Sequence, residues 1–322
     1  MSRLKLDPYI LLILSMVGLA TVLPAQGVAA HALSSTTNAV IALLFFLYGG
    51  RLSRESVVAG MTHWRLQLVV VACTYILFPL LGLSLAYLLK PWLAAPLVLG
   101  LIFLSVLPST VQSSIAFTSI ARGNIPAAVC AASLSNLIGV VLTPLWIGAV
   151  LSVDGQGFSL DSLMAIVQQL LLPFVVGQVL RPWIARFLDR FKKILSYVDR
   201  GSILLVVYSA FSEGVVNGIW HQLDYSSLFI LLMVCSVLLA LVLWLTAHIS
   251  KRMGFGQEDE IVVVFCGSKK SLASGVPMAN ILFAGSSVGL IVLPLMLFHQ
   301  IQLMACAVIA RRYVATVTEA SR

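Results

Sequence analysis

Lys269 and Lys270 stand side by side, and residues 261–310 hold no other Asp, Glu, Lys or Arg. A Lys at the centre of a membrane-spanning helix costs roughly 2.5–3.5 kcal/mol. An ammonium in such surroundings can hold an anion, stand in for a bound cation, or carry a proton if burial makes it give that proton up. Neighbouring side chains on a helix diverge by about 100°, so at least one of the two points into the protein. The distance from Glu260 places Lys269 about 12 Å deep on a helix, which argues against simple snorkelling to an interface. Glu213 is the one acidic residue in the apolar stretch 201–223. It is the simplest partner for either ammonium, with a structural role or a role in transport.

Hydroxyls and amides gather in the same regions. Thr110, Gln112, Ser113 and Ser114 form one group, Ser133 and Asn136 a second, and Ser268 and Ser271 flank the lysines. Their oxygens can ligate a monovalent cation, with Ser114 and Ser133 as remnants of a sodium site, or they can bond to helix carbonyls. His299 is a candidate proton carrier or a satisfied buried imidazole. The five cysteines, Cys73, Cys130, Cys235, Cys266 and Cys306, lack zinc-type spacing and read as small core residues. Ser268 or Ser271 beside a Lys would suit an intramembrane hydrolase, but no Gly-x-Ser-x-Gly or His-Glu-x-x-His pattern accompanies them. No cofactor or nucleic-acid motif is present, and the chain reads as a non-enzyme.

The elements that position these groups follow from the charge map. Of 322 residues, 60% are hydrophobic and only 10% charged, with a mean hydropathy of +1.03. Soluble domains carry about 25% charged residues, so a soluble enzyme, a disordered chain and a nucleic-acid binder are excluded. Charge-free gaps run over 8–50, 66–89, 91–121, 123–153, 162–180 and 225–250. A span needs roughly 20 apolar residues. The first gap and the stretch 261–310 each hold two spans, which predicts ten transmembrane helices and an all-α polytopic fold. The signal-peptide look of the first 30 residues yields to this even count.

Cytoplasmic termini put seventeen of the 20 basic residues inside, from Arg3 and Lys5 through Arg51, Arg54, Arg65 and Arg122 to Arg322. The expected place is the plasma (inner) membrane. Residues 183–200 alternate Trp183, Ile184, Phe187, Leu188 and Phe191 with Arg186, Arg190, Lys192 and Lys193. That pattern predicts a basic interfacial helix on anionic lipid.

Ten spans divide into two five-helix repeats, 1–158 and 159–322, the second inverted relative to the first. The fourth span of each half is interrupted: Leu107-Pro108-Ser109-Thr110-Val111 in one, Gly267-Ser268-Lys269-Lys270-Ser271 in the other. Pro144 and Pro294 mark the fifth span of each half. Paired interruptions predict discontinuous helices 4 and 9 whose freed backbone groups line a cavity.

Three segments carry a family resemblance: Phe45-Phe46-Leu47-Tyr48-Gly49-Gly50-Arg51-Leu52-Ser53, Ala121-Arg122-Gly123-Asn124, and Phe265-Cys266-Gly267-Ser268-Lys269-Lys270-Ser271-Leu272. The chain resembles the bile acid:sodium symporter family (solute carrier family 10) over essentially its whole length. Within that family it is most similar to the branch of YfeH-type bacterial proteins and the vertebrate family member 7. The resemblance implies a panel domain of helices 1, 2, 6 and 7. It also implies a core of helices 3–5 and 8–10 with crossed helices 4 and 9, substrate between panel and core, and alternating access. It implies two sodium ions behind the crossover as well, and here the sequence departs.

Registered on Ala121-Arg122-Gly123-Asn124, the family's Ser-Asn pair falls on Ser114 and Ile115, and its helix 5 Ser and Thr on Ala128 and Ala132. Its helix 3 Gln falls on Thr74, ahead of Pro79. A sodium-binding Glu is missing from Phe265-Cys266-Gly267, and the neighbouring Gln and Asn fall on Lys269 and Lys270. A lysine ammonium is therefore expected to take the place of a cation. The expected function is secondary transport of an organic anion, bile acid-like or another amphipathic carboxylate, with sodium or a proton as coupling ion. A cation/proton antiporter and a non-transporting membrane regulator are the alternatives; no Asp lies in a core span to serve the former.

Overall fold

A computed structural model describes residues 8–51, 63–153, 167–216, 218, 224–284 and 287–320. Among them every regular element is helical. In chain order these are α1 (Pro8–Val22), α2 (Val28–Arg51), α3 (Trp64–Ala72), α4 (Phe78–Leu89), α5 (Ala95–Val106), α6 (Gln112–Ile120) and α7 (Ile125–Val153). They continue as α8 (Leu172–Arg190), α9 (Lys192–Val216), α10 (Tyr225–Arg252), α11 (Gln257–Gly267), α12 (Leu272–Leu282) and α13 (Val288–Ala320). One π turn (Cys73–Leu77) joins α3 to α4, and a second (Val167–Leu171) leads into α8. The repeat boundary at 158/159 and the charges of Arg3, Lys5, Arg54 and Arg322 lie outside the described residues.

Seven helical stretches are long and apolar enough to cross a bilayer: Val28–Arg51, Trp64–Leu89, Ile125–Val150, Gln168–Arg190, Lys192–Val216, Tyr225–Arg252 and Val288–Val314. The chain is a multi-pass membrane protein. α5 has 12 residues, about 18 Å at 1.5 Å per residue, and cannot span a core of about 30 Å alone. The same holds for α6, α11 and α12, and the breaks between α5 and α6 and between α11 and α12 fall at the interruptions that the sequence shows. Pro144 and Pro294 do not interrupt; both lie inside continuous helices.

The basic stretch 183–200 is not a separate interfacial helix. α8 runs through to Arg190 and α9 begins at Lys192, with Phe191 alone outside helical geometry. Its apolar face is divided between two long helices, because no Pro or Gly between Pro182 and Gly201 stops either of them. Trp183, Phe187 and Ile194 are exposed and Leu188 is buried.

The chain forms two compact units, each assembled from separated segments. The first comprises Met1–Arg51, Ser159–Asp224 and Val276–Val292. Within it α2 and α8 approach until their backbones touch. A Cβ on Gly49 would meet the Phe174 carbonyl oxygen, and one on Gly177 that of Phe46. Small residues at such a contact gain dispersion between backbones, which lipid cannot replace. Arg51, in the last turn of α2, pairs with Asp199 on α9 at 2.5 Å.

The second unit comprises Leu52–Phe158, Tyr225–Gly275 and Leu293–Arg322. One core layer joins Leu66, Val70 and Cys73 to Ala128 and Ala131 and to Val262, Val263 and Cys266. Alanines on α7 let α3 and α11 close upon it. A second layer joins Ala121, Phe265, Cys306 and Ala310. The turn Ala121-Arg122-Gly123-Asn124 ends α6 with paired bonds from Gly123 N–H to Thr118 O (2.8 Å) and Arg122 N–H to Ser119 O (3.2 Å). That cap sets Arg122 left-handed at φ 60°. Asn124 then starts α7: its Oδ1 accepts the Ala127 N–H at 3.1 Å, and its Nδ2 donates to Asp259 at 2.9 Å.

Candidate functional site

α5 ends at Val106 because Pro108 forces the residue before it out of helical geometry; Leu107 is extended at φ −70°, ψ 154°. α11 ends at Gly267 with Ser268 at φ −99°, ψ −10°. Both breaks lie in the second unit and meet directly: the Ser271 N–H donates to Pro108 O at 2.9 Å. Ser271 also caps α12, its Oγ accepting the Ser274 N–H at 3.2 Å.

Backbone groups released by the breaks cannot be left unpaired away from water. Thr143 Oγ1 donates to Val106 O at 2.8 Å. The Ser109 N–H donates to Ser135 Oγ at 3.0 Å, and Asn136 Nδ2 donates to Ser109 O at 2.8 Å. Ser274 Oγ donates to Asn136 Oδ1 at 2.9 Å. Gln302 serves both backbone groups of Lys270: its Oε1 accepts the N–H at 2.9 Å and its Nε2 donates to the carbonyl at 2.9 Å. The same Nε2 lies 2.8 Å from His299 Nδ1.

The two lysines complete this set. Both are 0% exposed. Lys270 Nζ donates to Leu107 O at 2.7 Å and to Thr74 O at 2.9 Å, and lies 4.1 Å from the Phe78 ring centre. Leu107 O is free because α5 has ended, and an ammonium at a helix C-terminus also meets the negative end of its dipole. Thr74 O is free for another reason. In the π turn the Phe78 N–H reaches back to Cys73 O, and the next residue, Pro79, has no N–H. Lys269 Nζ donates to Ser113 O at 2.9 Å and lies 4.1 Å over Phe117 and 5.0 Å over Phe265. Neither ammonium is within ion-pair distance of a carboxylate among the described residues, and Glu213 on α9 is exposed. Glu213 belongs to the first unit and both lysines to the second.

The remaining expected residues divide. Ser114 Oγ donates to Phe265 O at 3.0 Å and lies 3.1 Å from Thr110 Oγ1, while Thr110 Oγ1 meets Ser113 Oγ at 2.5 Å. Ser268 Oγ turns back to Val264 O at 2.6 Å. Gln112 is exposed, and Ser113, Ser133, Asn136 and His299 are half-buried. Thr110, Ser113, Ser114, Asn136, Ser271 and both lysines are thus brought together, and Ser133 takes no part in these bonds. Most of the hydroxyls hold the breaks in place. A cleft of about 500 Å³ opens elsewhere in this unit, beside Arg122, Asn124 and Glu258, and none of these residues lines it.

Sequence reasoning singled out Ser113 for its hydroxyl and met Thr74 only as the place of the family's helix 3 Gln. Leu107, Thr74 and Ser113 act through carbonyls, which any residue type supplies, and Phe78, Phe117 and Phe265 read as ordinary core. Gln302 is a polar residue within the apolar stretch 261–310. The signal for Thr74 was Pro79, a mid-span proline five residues on.

The sequence profile of the SBF-like CPA transporter family matches residues 7–315. An uncharacterized protein of Pseudomonas aeruginosa is 57% identical, covering 95% of this chain and 92% of its own length. The putative symporter YfeH of Escherichia coli is 53% identical, covering 96% of this chain and 93% of its own. Sodium/bile acid cotransporter 7 of Mus musculus is 29% identical over 96% of this chain and 93% of its own.

Proposed function

We propose that this chain, which belongs to the SBF-like CPA transporter family, is a secondary transporter of an organic anion that works by alternating access. The substrate class is a bile acid-like or other amphipathic carboxylate. The observation that carries the reading is the pair of joined helix breaks holding two ammonium groups with no carboxylate against them among the described residues. Uncompensated positive charge beside the positive N-terminal ends of α6 and α12 favours an anion. A cation/proton antiporter would need an acidic ligand there, and the charges at the breaks are both positive.

Counting α5 with α6, α3 with α4, and α11 with α12 as single spans gives ten, in two inverted repeats. The first unit, built mainly from α1, α2, α8 and α9, has the composition of the panel, and the second that of the core. Both termini are cytoplasmic and the membrane is the plasma membrane. Thr110, Gln112, Ser113, Ser114, Ser133, Asn136, Ser268, Ser271 and His299 contribute the polar wall at the breaks, and Glu213 a charge on the panel side. Lys270 occupies the place of a coupling cation: two backbone carbonyls and an aromatic face hold it as oxygens would hold a metal ion. Sodium is then not required.

Purified protein in proteoliposomes tests this with labelled taurocholate, under imposed sodium and proton gradients in turn. The expected result is uptake driven by the proton gradient and unchanged when potassium replaces sodium. Sodium-stimulated uptake would overturn the ion assignment, and no taurocholate exchange in either direction would sink the bile acid-like substrate class.

A further inference from the structure

The two lysines are adjacent in sequence and held in unlike ways. An ammonium has three N–H donors and a neutral amine two and a lone pair. Lys270 Nζ uses two donors on Leu107 O and Thr74 O, and its remaining side faces Phe78 at 4.1 Å, with Tyr75 at 6.0 Å. A neutral amine there would turn its lone pair onto the π face of Phe78 or let go one carbonyl, untying the α5 break from the π turn. Lys269 Nζ makes one carbonyl bond, to Ser113 O, and otherwise rests on Phe117 and Phe265. A neutral amine would keep that bond and lose only the attraction to two rings.

The groups around Lys269 supply no negative charge. The titratable side chains that act on it are the Cys266 thiol on α11 and the Cys306 thiol on α13. α6 presents Ser113 and Phe117. Tyr313, further along α13, meets Phe265 edge to face and donates its hydroxyl to Glu260 at 2.8 Å, which keeps that carboxylate engaged. Burial of an ammonium without a counter-ion favours loss of its proton. Lys269 is the one whose release breaks no tie, and its partner Ser113 is half-buried beside the exposed Gln112, where water can enter.

We infer that Lys269 takes up and releases the coupling proton of the transport cycle, while Lys270 remains an ammonium throughout. The inference rests on the transporter reading given above. In the release step an Nζ–H bond of Lys269 breaks, the electron pair stays on nitrogen, and the proton passes to water on one side of the membrane. Reprotonation from water on the other side completes the cycle.

The full chain, labelled with 15Nζ-lysine and held in lipid nanodiscs, decides this by NMR titration over about pH 5 to 10. The chain has seven lysines, and Lys269→Gln together with Lys270→Arg assigns the two signals. The expected result is that the Lys269 signal moves from its ammonium to its amine position while the Lys270 signal does not. A Lys269 signal that stays ammonium at every pH overturns the proposal, and so does titration of Lys270. In a second measurement on proteoliposomes, Lys269→Gln is expected to lose proton-driven accumulation of taurocholate, and accumulation that still follows the proton gradient overturns the proposal. Absence of exchange in the unsubstituted protein would count against the transport reading alone, since the titration needs no substrate.

Discussion

At the scale of single residues, Gln302 has the most demanding task. One amide satisfies both backbone groups of Lys270. Gln302→Leu keeps roughly the volume and strands a buried N–H and a buried C=O, each worth about 1–3 kcal/mol. The expected outcome is a lowered melting temperature in detergent, with Gln302→Glu intermediate because it retains the acceptor and loses the donor. Thermal unfolding of the three proteins checks the order. The lysines were legible in the sequence because charge is costly in hydrocarbon. Gln302 was not, because its partner is the backbone of a residue in another helix and side-chain identity carries no trace of that. For Glu213 the cost of an intramembrane carboxylate shows that it needs surroundings, and does not identify them.

At the scale of elements, the π turn before α4 does by geometry what a ligand residue would do by chemistry. Its carbonyl at Thr74 is released by the Phe78–Cys73 bond and by the missing donor of Pro79. Pro79→Ala returns an N–H to a position where it can compete for that carbonyl. The helix is expected to hold or gain stability while taurocholate transport falls about tenfold, which is what loss of one bond to a charged group of about 1.5 kcal/mol converts to. Uptake and melting temperature measured on the same preparation separate the two effects. The charge gaps located both interrupted spans, since Pro108 and the Gly267-Ser268 pair interrupt helices by known sterics. They could not reveal a π turn, which leaves apolar composition unchanged. Yet the other π turn, Val167–Leu171, also precedes a proline by one residue, Pro173. The interfacial helix over 183–200 failed because apolar periodicity has no marker for where one helix yields to the next.

At the scale of the whole molecule, the uneven placement of basic residues predicts cytoplasmic termini. A fluorescent protein fused to the C-terminus is expected to glow and a phosphatase fused there to stay inactive; the reverse pattern would invert the topology. Two units threaded from alternating segments were not readable from the order of charges, because segments distant in sequence meet through apolar surfaces that all look alike. The second unit also has an electrical property. It buries two ammonium groups with no carboxylate paired to them, so any displacement along the membrane normal moves charge through the field. Each elementary charge crossing fully is worth about 2.3 kcal/mol per 100 mV. A loaded stroke with two ammonium charges and a bound carboxylate, and a return stroke with one ammonium, would then each carry one net positive charge through the field. The protein should give a transient capacitive current before any net flux begins, and the resting potential should set which way it faces while it waits.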